Sequence, residues 1–255
     1  MKAPLNGFSY LVGVLTEAIR HVVTSVLSSS RTDEIGPSSW STGMTTAPRQ
    51  GVSSMKLTTT THLSLDGVMQ GCGGPDEDRS GGFERGGWIT PFFDDEGGAF
   101  IVDVYQRADA FLFGRRTYEL FGSYWGKMAD PNPIAAALNS RPKYVASTTL
   151  TEPHWSETTV LTGDVAARIR ELKARSGREL QVHGSGKLIQ WLLANGFIDE
   201  INVLIFPVIV GQGARLFPSS GPDIALSLLN SQTTPAGVTI QTYRPAGRPR
   251  YETAG

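Results

Sequence analysis

Cysteine is almost missing from this chain: one residue, Cys72, in 255. A lone thiol excludes an intramolecular disulfide framework and any zinc site built from several cysteines. It points to a reducing, cytoplasmic compartment. Charge of one sign is equally scarce, with 23 basic against 24 acidic residues and a net −1. The basic footprint that drives nucleic-acid binding is therefore lacking. There are four histidines, and His21, His62 and His154 are too scattered for metal-ligand spacing. Long apolar runs are lacking too. The best candidate, residues 8–27, is interrupted by Glu17, Arg20 and His21 and is too broken for a membrane span, and no small-x-small cleavage site follows it. What is abundant is glycine, 29 residues, with 15 prolines beside a 40% apolar and 18% charged composition. That balance describes a turn-rich globular protein and excludes a disordered one.

Three stretches differ in character. In residues 1–54, Phe8, Leu11, Val12, Leu15, Ile19, Val22, Val23 and Val26 recur at three and four, as in a short amphipathic helix. Residues 28–54 are rich in Ser, Thr, Gly and Pro and read as a linker. The stretch is either a real N-terminal extension or lies ahead of the true translation start. Residues 55–245 carry the folded pattern, and 246–255 form a tail in which Arg244, Arg248 and Arg250, just before and within it, read as solvated.

Within 55–245 short strands alternate with helices. Lys56–Ser64, Ala110–Phe113, Lys143–Ser147, Glu179–His183, Ile198–Val210 (broken at Pro207) and Val238–Tyr243 read as strands. Asp94–Arg107, a helix beginning at Thr117, Asp164–Arg175 and Gly186–Ala194 read as helices. The alternation predicts βαβ crossovers and a mainly parallel sheet covered on both faces, with ligands at the carboxyl ends of the strands. Gln70–Gly87 is a long Gly-rich loop of the kind that covers a site or moves. Cys72, inside it, has no neighbour that lowers its pKa and reads as inert.

Three strand ends carry groups suited to an anion. Gly114, Arg115, Arg116 and Thr117 combine a tight turn, two guanidiniums and a hydroxyl at a helix start; they make either a phosphate cradle or plain surface charge with an N-cap. Gly184, Ser185, Gly186 and Lys187 let backbone approach a pyrophosphate, or form an ordinary strand-to-helix turn. Ile189 breaks the Rossmann glycine pattern, and Gln181 and Leu188 break a P-loop. His183 and Lys187 forbid a nucleophile elbow. Ser147, Thr148 and Thr149 form a hydroxyl cluster. Taken together they suit an extended phosphorylated ligand such as a dinucleotide.

Four ordered segments resemble one family. They are Ser64-Leu65-Asp66-Gly67, Gly114 to Glu119 (GRRTYE), Val182 to Leu188 (VHGSGKL), and Asp199-Glu200 leading to Pro207–Phe217 (PVIVGQGARLF). Over residues 55–245 the chain resembles the dihydrofolate reductase-like family, nearest to the reductase domain of bacterial bifunctional riboflavin-biosynthesis proteins and its stand-alone relatives. The resemblance implies a three-layer α/β/α fold with a mainly parallel mixed sheet, a homodimer, and NADPH as cofactor. By family position, Gly114, Arg115, Arg116 and Thr117 would hold the 2′-phosphate or pyrophosphate. Ser147 and Thr148 would lie against the adenosine end, and Gly184, Ser185, Gly186, Lys187 and Leu188 would cover the pyrophosphate. Two guanidiniums favour NADPH over NADH, whose ribose calls for a carboxylate.

The implied activity is NADPH-dependent reduction of a small heterocycle, in its most concrete form 5-amino-6-(5-phosphoribosylamino)uracil. The alternatives are a dihydrofolate reductase-type activity and a non-catalytic NADPH- or flavin-binding module. Asp66 is the candidate proton source or substrate wall, with a turn-forming role beside Gly67 as the alternative. Trp88 and Tyr118 are candidates for stacking on the substrate, or core packing. His183 stands where the riboflavin reductases carry an acidic residue that helps hold substrate, so the substrate does not carry over with the fold. A zinc deaminase half is excluded by the single cysteine.

Overall fold

Four consecutive threonines, Thr58–Thr61, with Leu57 and Leu63 on either side, make the β-branched strand around which the sheet is built. In the computed structural model, which describes residues 54–128 and 132–252, this strand, β1 (Lys56–Ser64), pairs in parallel with a strand on each side. The chain order is β1, α1 (Asp95–Arg107), β2 (Ala108–Gly114), α2 (Arg115–Tyr124), α3 (Pro133–Ser140), β3 (Lys143–Ala146) and β4 (Thr158–Leu161). It continues with α4 (Val165–Lys173), β5 (Glu179–His183), α5 (Gly186–Ala194), β6 (Glu200–Phe206), β7 (Leu226–Thr233) and β8 (Thr239–Pro245). The helix and linker expected before residue 54 lie outside the described residues.

The sheet order is β4-β3-β2-β5-β1-β6-β8-β7. Pairing is parallel from β4 to β6 and antiparallel for β6–β8 and β8–β7. Alternation along each strand divides the core. Phe111, Phe113 and Phe206 face α1 and α3, packing with Tyr105, Ile134 and Leu138. Leu57, Leu112, Leu180 and Val182 face the other way, onto Ile169 and Leu172 of α4 and Ile189 and Leu192 of α5. Each fully buried side chain of this kind contributes about 1.5–3 kcal/mol, so both helical layers are held by the sheet. The result is the expected three-layer α/β/α arrangement with a mainly parallel mixed sheet.

Element boundaries differ from expectation at three functional places. α2 begins at Arg115, two residues before Thr117, because Gly114 is already extended and serves as the N-cap. β3 stops at Ala146, which leaves Ser147 in the following turn. β6 is confined to Glu200–Phe206, since Pro207 has no N–H to continue the ladder. Helix α3 and strands β4 and β7 were not among the expected elements. For α3 the signal is present: Asn132 accepts from the amides of Ile134 and Ala135, and Pro133 occupies the first turn.

Candidate active site

β2 and β5 are neighbours in the sheet, and each turns directly into a helix at its carboxyl end. Elsewhere the helices are closed by side chains: Asp94 caps α1, Asn132 caps α3 and Asp164 caps α4. The N-caps of α2 and α5, Gly114 and Ser185, make no side-chain cap bond. The Ser185 hydroxyl instead accepts from the Gly114 amide at 3.0 Å, and Thr117 Oγ1 accepts from the Ser185 amide at 3.0 Å. The two helix starts are thus stitched to each other, and their first-turn N–H groups remain open along one edge.

The backbone here is tightly constrained. Gly184 and Ser185 are both left-handed, at φ +55° and +56°. For Ser185 this conformation costs about 1–2 kcal/mol. A Cβ on Gly184 would meet Thr117 Cγ2 at 3.4 Å, and one on Gly186 would meet Met69 Sδ at 2.6 Å. Glycine is therefore what lets this turn lie against α2 and against the start of the Gly-rich loop.

Three cations line the edge. Arg115 donates to Glu119 at 2.7 Å and to Thr149 Oγ1 at 2.6 Å, which ties the turn after β3 to α2. Arg116 pairs with Asp78 at 2.5 Å. Lys187 is exposed in the first turn of α5 with no side-chain partner among the described residues. Leu188, next to it, is half-buried against the core. Ser147 accepts from the amides of Thr149 (3.2 Å) and Leu150 (3.0 Å), so its hydroxyl shapes the turn, and Thr148 is exposed. The structure thus brings together Gly114, Arg115, Thr117, Gly184, Ser185 and Thr149. Open helix N-termini, guanidiniums and closely approaching glycine backbone fit an extended, phosphate-bearing ligand.

The residues expected around the substrate are arranged differently. Asp66 accepts from Ser64 Oγ (2.7 Å), the amides of Val210 and Gly211 (2.9 Å each) and the Arg215 guanidinium (3.1 Å). The Ser64 hydroxyl bond and then the two amides hold its carboxyl far below the usual carboxylate range. These bonds favour the ionised carboxylate, and through them Asp66 anchors the segment after β6. Tyr118 is 0% exposed, and its hydroxyl accepts from the Trp155 amide at 2.9 Å, so its ring is core and has no face open to a heterocycle. His183 is 4% exposed, stacked on Tyr105 at 4.2 Å with Nε2 3.0 Å from Gln181 Oε1. Burial pushes its pKa down to about 3, with His62 adding to the shift. It is a neutral interior residue in this structure. Trp88 is 8% exposed, donates its indole N–H to Gln70 O at 3.0 Å and meets Phe206 edge-on at 5.8 Å.

The loop Gln70–Gly87 holds residues that sequence reasoning did not single out. Asp78 accepts from the Ser80 amide (2.9 Å) and hydroxyl (2.7 Å) as well as from Arg116. Burial pushes the Glu77 carboxyl up to about 7, although the amides of Gly73 and Gly74 donate to it. Burial likewise raises the Cys72 thiol well above its ordinary value, as suits an inert group. The signal was the dense acidic run Asp76-Glu77-Asp78 in a loop already marked by its length. What could not be read was which of the three faces α2. A cavity of about 290 Å³ lies elsewhere, between β4 and α4, lined by Tyr144, Thr159, Arg168 and Arg175 among others.

Comparison with known proteins bears on the fold and the family. The chain is 28% identical over 146 residues to YyaP of Bacillus subtilis (strain 168), covering 56% of this chain and 77% of that protein. It is 26% identical over 157 residues to YwjB of the same organism, covering 62% and 85%; both relatives are uncharacterized. Among solved structures it resembles a Shewanella sp. PV-4 protein named for riboflavin biosynthesis, with a TM-score of 0.56, 23% identity and 75% and 99% of the two chains covered. A pyrimidine reductase-like protein from Corynebacterium diphtheriae gives a TM-score of 0.50, 14% identity and 75% and 92% coverage. These two likenesses establish the fold. The model of the RibD C-terminal domain matches residues 55–240, so the chain belongs to the RibD C-terminal domain family, a family of reductases.

Proposed function

We propose that this protein is an NADPH-dependent reductase of a small heterocycle, its most concrete substrate being 5-amino-6-(5-phosphoribosylamino)uracil. The observation that carries the reading is the stitched pair of uncapped helix starts, Gly114–Arg116 and Gly184–Lys187, flanked by Arg115, Arg116 and Lys187. When bound, the nicotinamide supplies the hydride. The chain supplies orientation and shielding. Arg115 and Arg116 hold the 2′-phosphate or pyrophosphate as charge-assisted donors, and the amides at the start of α5 hold the pyrophosphate. The turn Ser147–Thr149, tied to Arg115, lies at the adenosine end.

At the reacting end, Asp66 fixes the backbone of Val210 and Gly211 and thereby the wall beyond β6. Trp88, locked to Gln70, excludes water beneath the Gly-rich loop. Within that loop Glu77, its pKa near 7, holds a proton on its carboxyl at neutral pH for part of the time. Among the described residues no helix is long and apolar enough to cross a membrane, and the reading places the enzyme in the reducing cytoplasm. A second copy of the chain is the proposed partner, docking through β7, whose residues are all exposed at the sheet edge.

The test is a titration with NADPH and NADH followed by tryptophan fluorescence, with Arg115→Ala as comparison. The expected result is a clear NADPH preference that the variant loses, through about 10- to 150-fold weaker binding, the equivalent of roughly 1.5–3 kcal/mol for a charged hydrogen bond. Failure of either nucleotide to bind overturns the reading and makes the cations plain surface charge.

A further inference from the structure

Arg116 and Asp78 meet at the junction of two regions that have so far been described separately, the anion edge and the Gly-rich loop. The pair is 2.5 Å apart, with the Arg116 side chain 66% exposed and that of Asp78 21% exposed. Asp78 is also the hub of its own loop. It accepts from the Ser80 amide and hydroxyl, and Gln70 Nε2 reaches its carboxylate at 3.2 Å. Gln70 passes the connection inward: its carbonyl accepts from Trp88 Nε1, and its side-chain oxygen accepts from the Ala214 amide at 2.9 Å. Immediately ahead of the loop stands Met69, whose sulfur lies where a Cβ on Gly186 would fall. One continuous segment therefore covers both helix starts and grips one of the two guanidiniums that face them.

We propose that Asp78 is a specificity-determining latch. Its carboxylate occupies Arg116 in the free protein, a phosphate of the cofactor competes with it for that guanidinium, and occupation of the edge releases loop Gln70–Gly87 from α2. The inference rests on the cofactor reading given above for the identity of the competing anion, while the latch itself rests on the ion pair and its hydrogen bonds. A guanidinium satisfies a carboxylate and a phosphate with the same planar donor fork, so the two anions exclude each other at one face. Because Asp78 also orders Ser80 and Gln70, losing its cation loosens the loop at that point. The strength is modest, since an exposed ion pair is worth little, and the latch is accordingly set for displacement by a ligand with several further contacts. Arg115 is held by Glu119 and Thr149 on α2 and the turn after β3, and among the described residues it makes no hydrogen bond to the loop. The two arginines thus have different duties: Arg115 reads the ligand, and Arg116 reports its arrival to the loop.

Two variants separate the alternatives. Asp78→Asn keeps an oxygen for the Ser80 amide and hydroxyl but gives up the charge on Arg116. Arg116→Ala breaks the same pair from the other side. Two quantities are read in the full-length protein: the Kd for NADPH and for adenosine 2′,5′-bisphosphate, and the rate at which Cys72, a half-buried residue of the loop itself, reacts with a disulfide reagent. The thiol should react faster in both variants than in the wild type, and adding adenosine 2′,5′-bisphosphate should speed it in the wild type alone. The Kd should move in opposite directions, about two- to fivefold tighter in Asp78→Asn and at least tenfold weaker in Arg116→Ala. A pair that only stabilises the fold would raise thiol reactivity in both without tightening binding in either, and that result overturns the proposal. Unchanged thiol rates in both variants also overturn it. If no form binds nucleotide while both variants expose Cys72, the cofactor reading and the competition fall and only the tether between Arg116 and the loop survives.

Discussion

Ser185 accepts the Gly114 amide on its hydroxyl at 3.0 Å while its own amide donates to Thr117 at 3.0 Å, so one left-handed residue closes the gap between two helices from adjacent strands. Side-chain hydrogen bonding and backbone strain therefore oppose each other at a single position, and substitutions can separate them. Ser185→Ala removes the acceptor and retains the strain, which should cost about 1 kcal/mol for the bond. Ser185→Gly removes the acceptor and relieves the strain. Denaturant unfolding should find Ser185→Gly more stable than Ser185→Ala by about 1 kcal/mol. Equal stability of the two would mean that the left-handed turn carries no strain.

Asp66 provides a pH signature with a definite sign. Its folded-state pKa lies far below the value near 3.9 of an unfolded aspartate. Its contribution is fully present above that unfolded value and declines as pH falls through the folded one. Asp66→Asn should lower stability by about 1.5–3 kcal/mol at neutral pH, as expected for lost bonds to a charged acceptor. The difference from wild type should be flat between pH 5 and 8 and shrink below about pH 4. Retention of reductase activity by this variant, measured on a confirmed substrate, would agree with the anchoring role; abolished turnover with intact stability would identify Asp66 as a proton donor.

His183 and His62 shift stability in a different window. Burial lowers them to about 3 and about 4. Both are neutral when folded, whereas unfolded histidine takes up a proton near 6.5. Between their folded values and 6.5 the unfolded state binds more protons, so stability falls as pH drops through this range. Each histidine contributes at most about 1.4 kcal/mol per pH unit. His183→Gln should flatten the slope of unfolding free energy against pH between about 4 and 6 by close to one proton. An unchanged slope would place His183 in contact with water in the native state.

Much of this architecture is legible in the sequence because local and tertiary preferences agree there. β1, β5 and α5 begin and end where their patterns do, since Lys56–Ser64 is β-branched, Glu179–His183 is bounded by Gly177 and Gly184, and Gly186–Ala194 has a clear apolar face. The meeting of the two helix starts was legible for the same reason: glycine, hydroxyl and guanidinium cluster at strand ends that any parallel sheet would bring together. Strand β7 was not, because every one of its residues is exposed and no alternation of burial marks it. Nor was the fate of the three ring-bearing residues. Trp88, Tyr118 and His183 satisfy the chemistry of a substrate wall and of a core equally well, and burial, a tertiary property, decides between them. Asp78 reaches Arg116 across 38 positions of sequence, a distance over which spacing carries no information.

Strand β7 makes the final prediction. It lies at the sheet edge beside β8, opposite in the order to β4, and Leu226, Leu228 and Leu229 are among the most exposed large apolar side chains of the described residues. A monomer would leave an unpaired row of amides and carbonyls next to three leucines, the combination that invites pairing with another chain. A second copy would satisfy it with one self-complementary surface related by a two-fold axis. The wild-type protein should therefore sediment at about twice 27.5 kDa. Leu228→Asp places like charges close together across such an interface, so it should shift the protein toward a monomer at micromolar concentration and leave the monomer's circular dichroism intact. A wild-type monomer over the same range would show that the edge is solvated and that the site at β2 and β5 is complete in one chain.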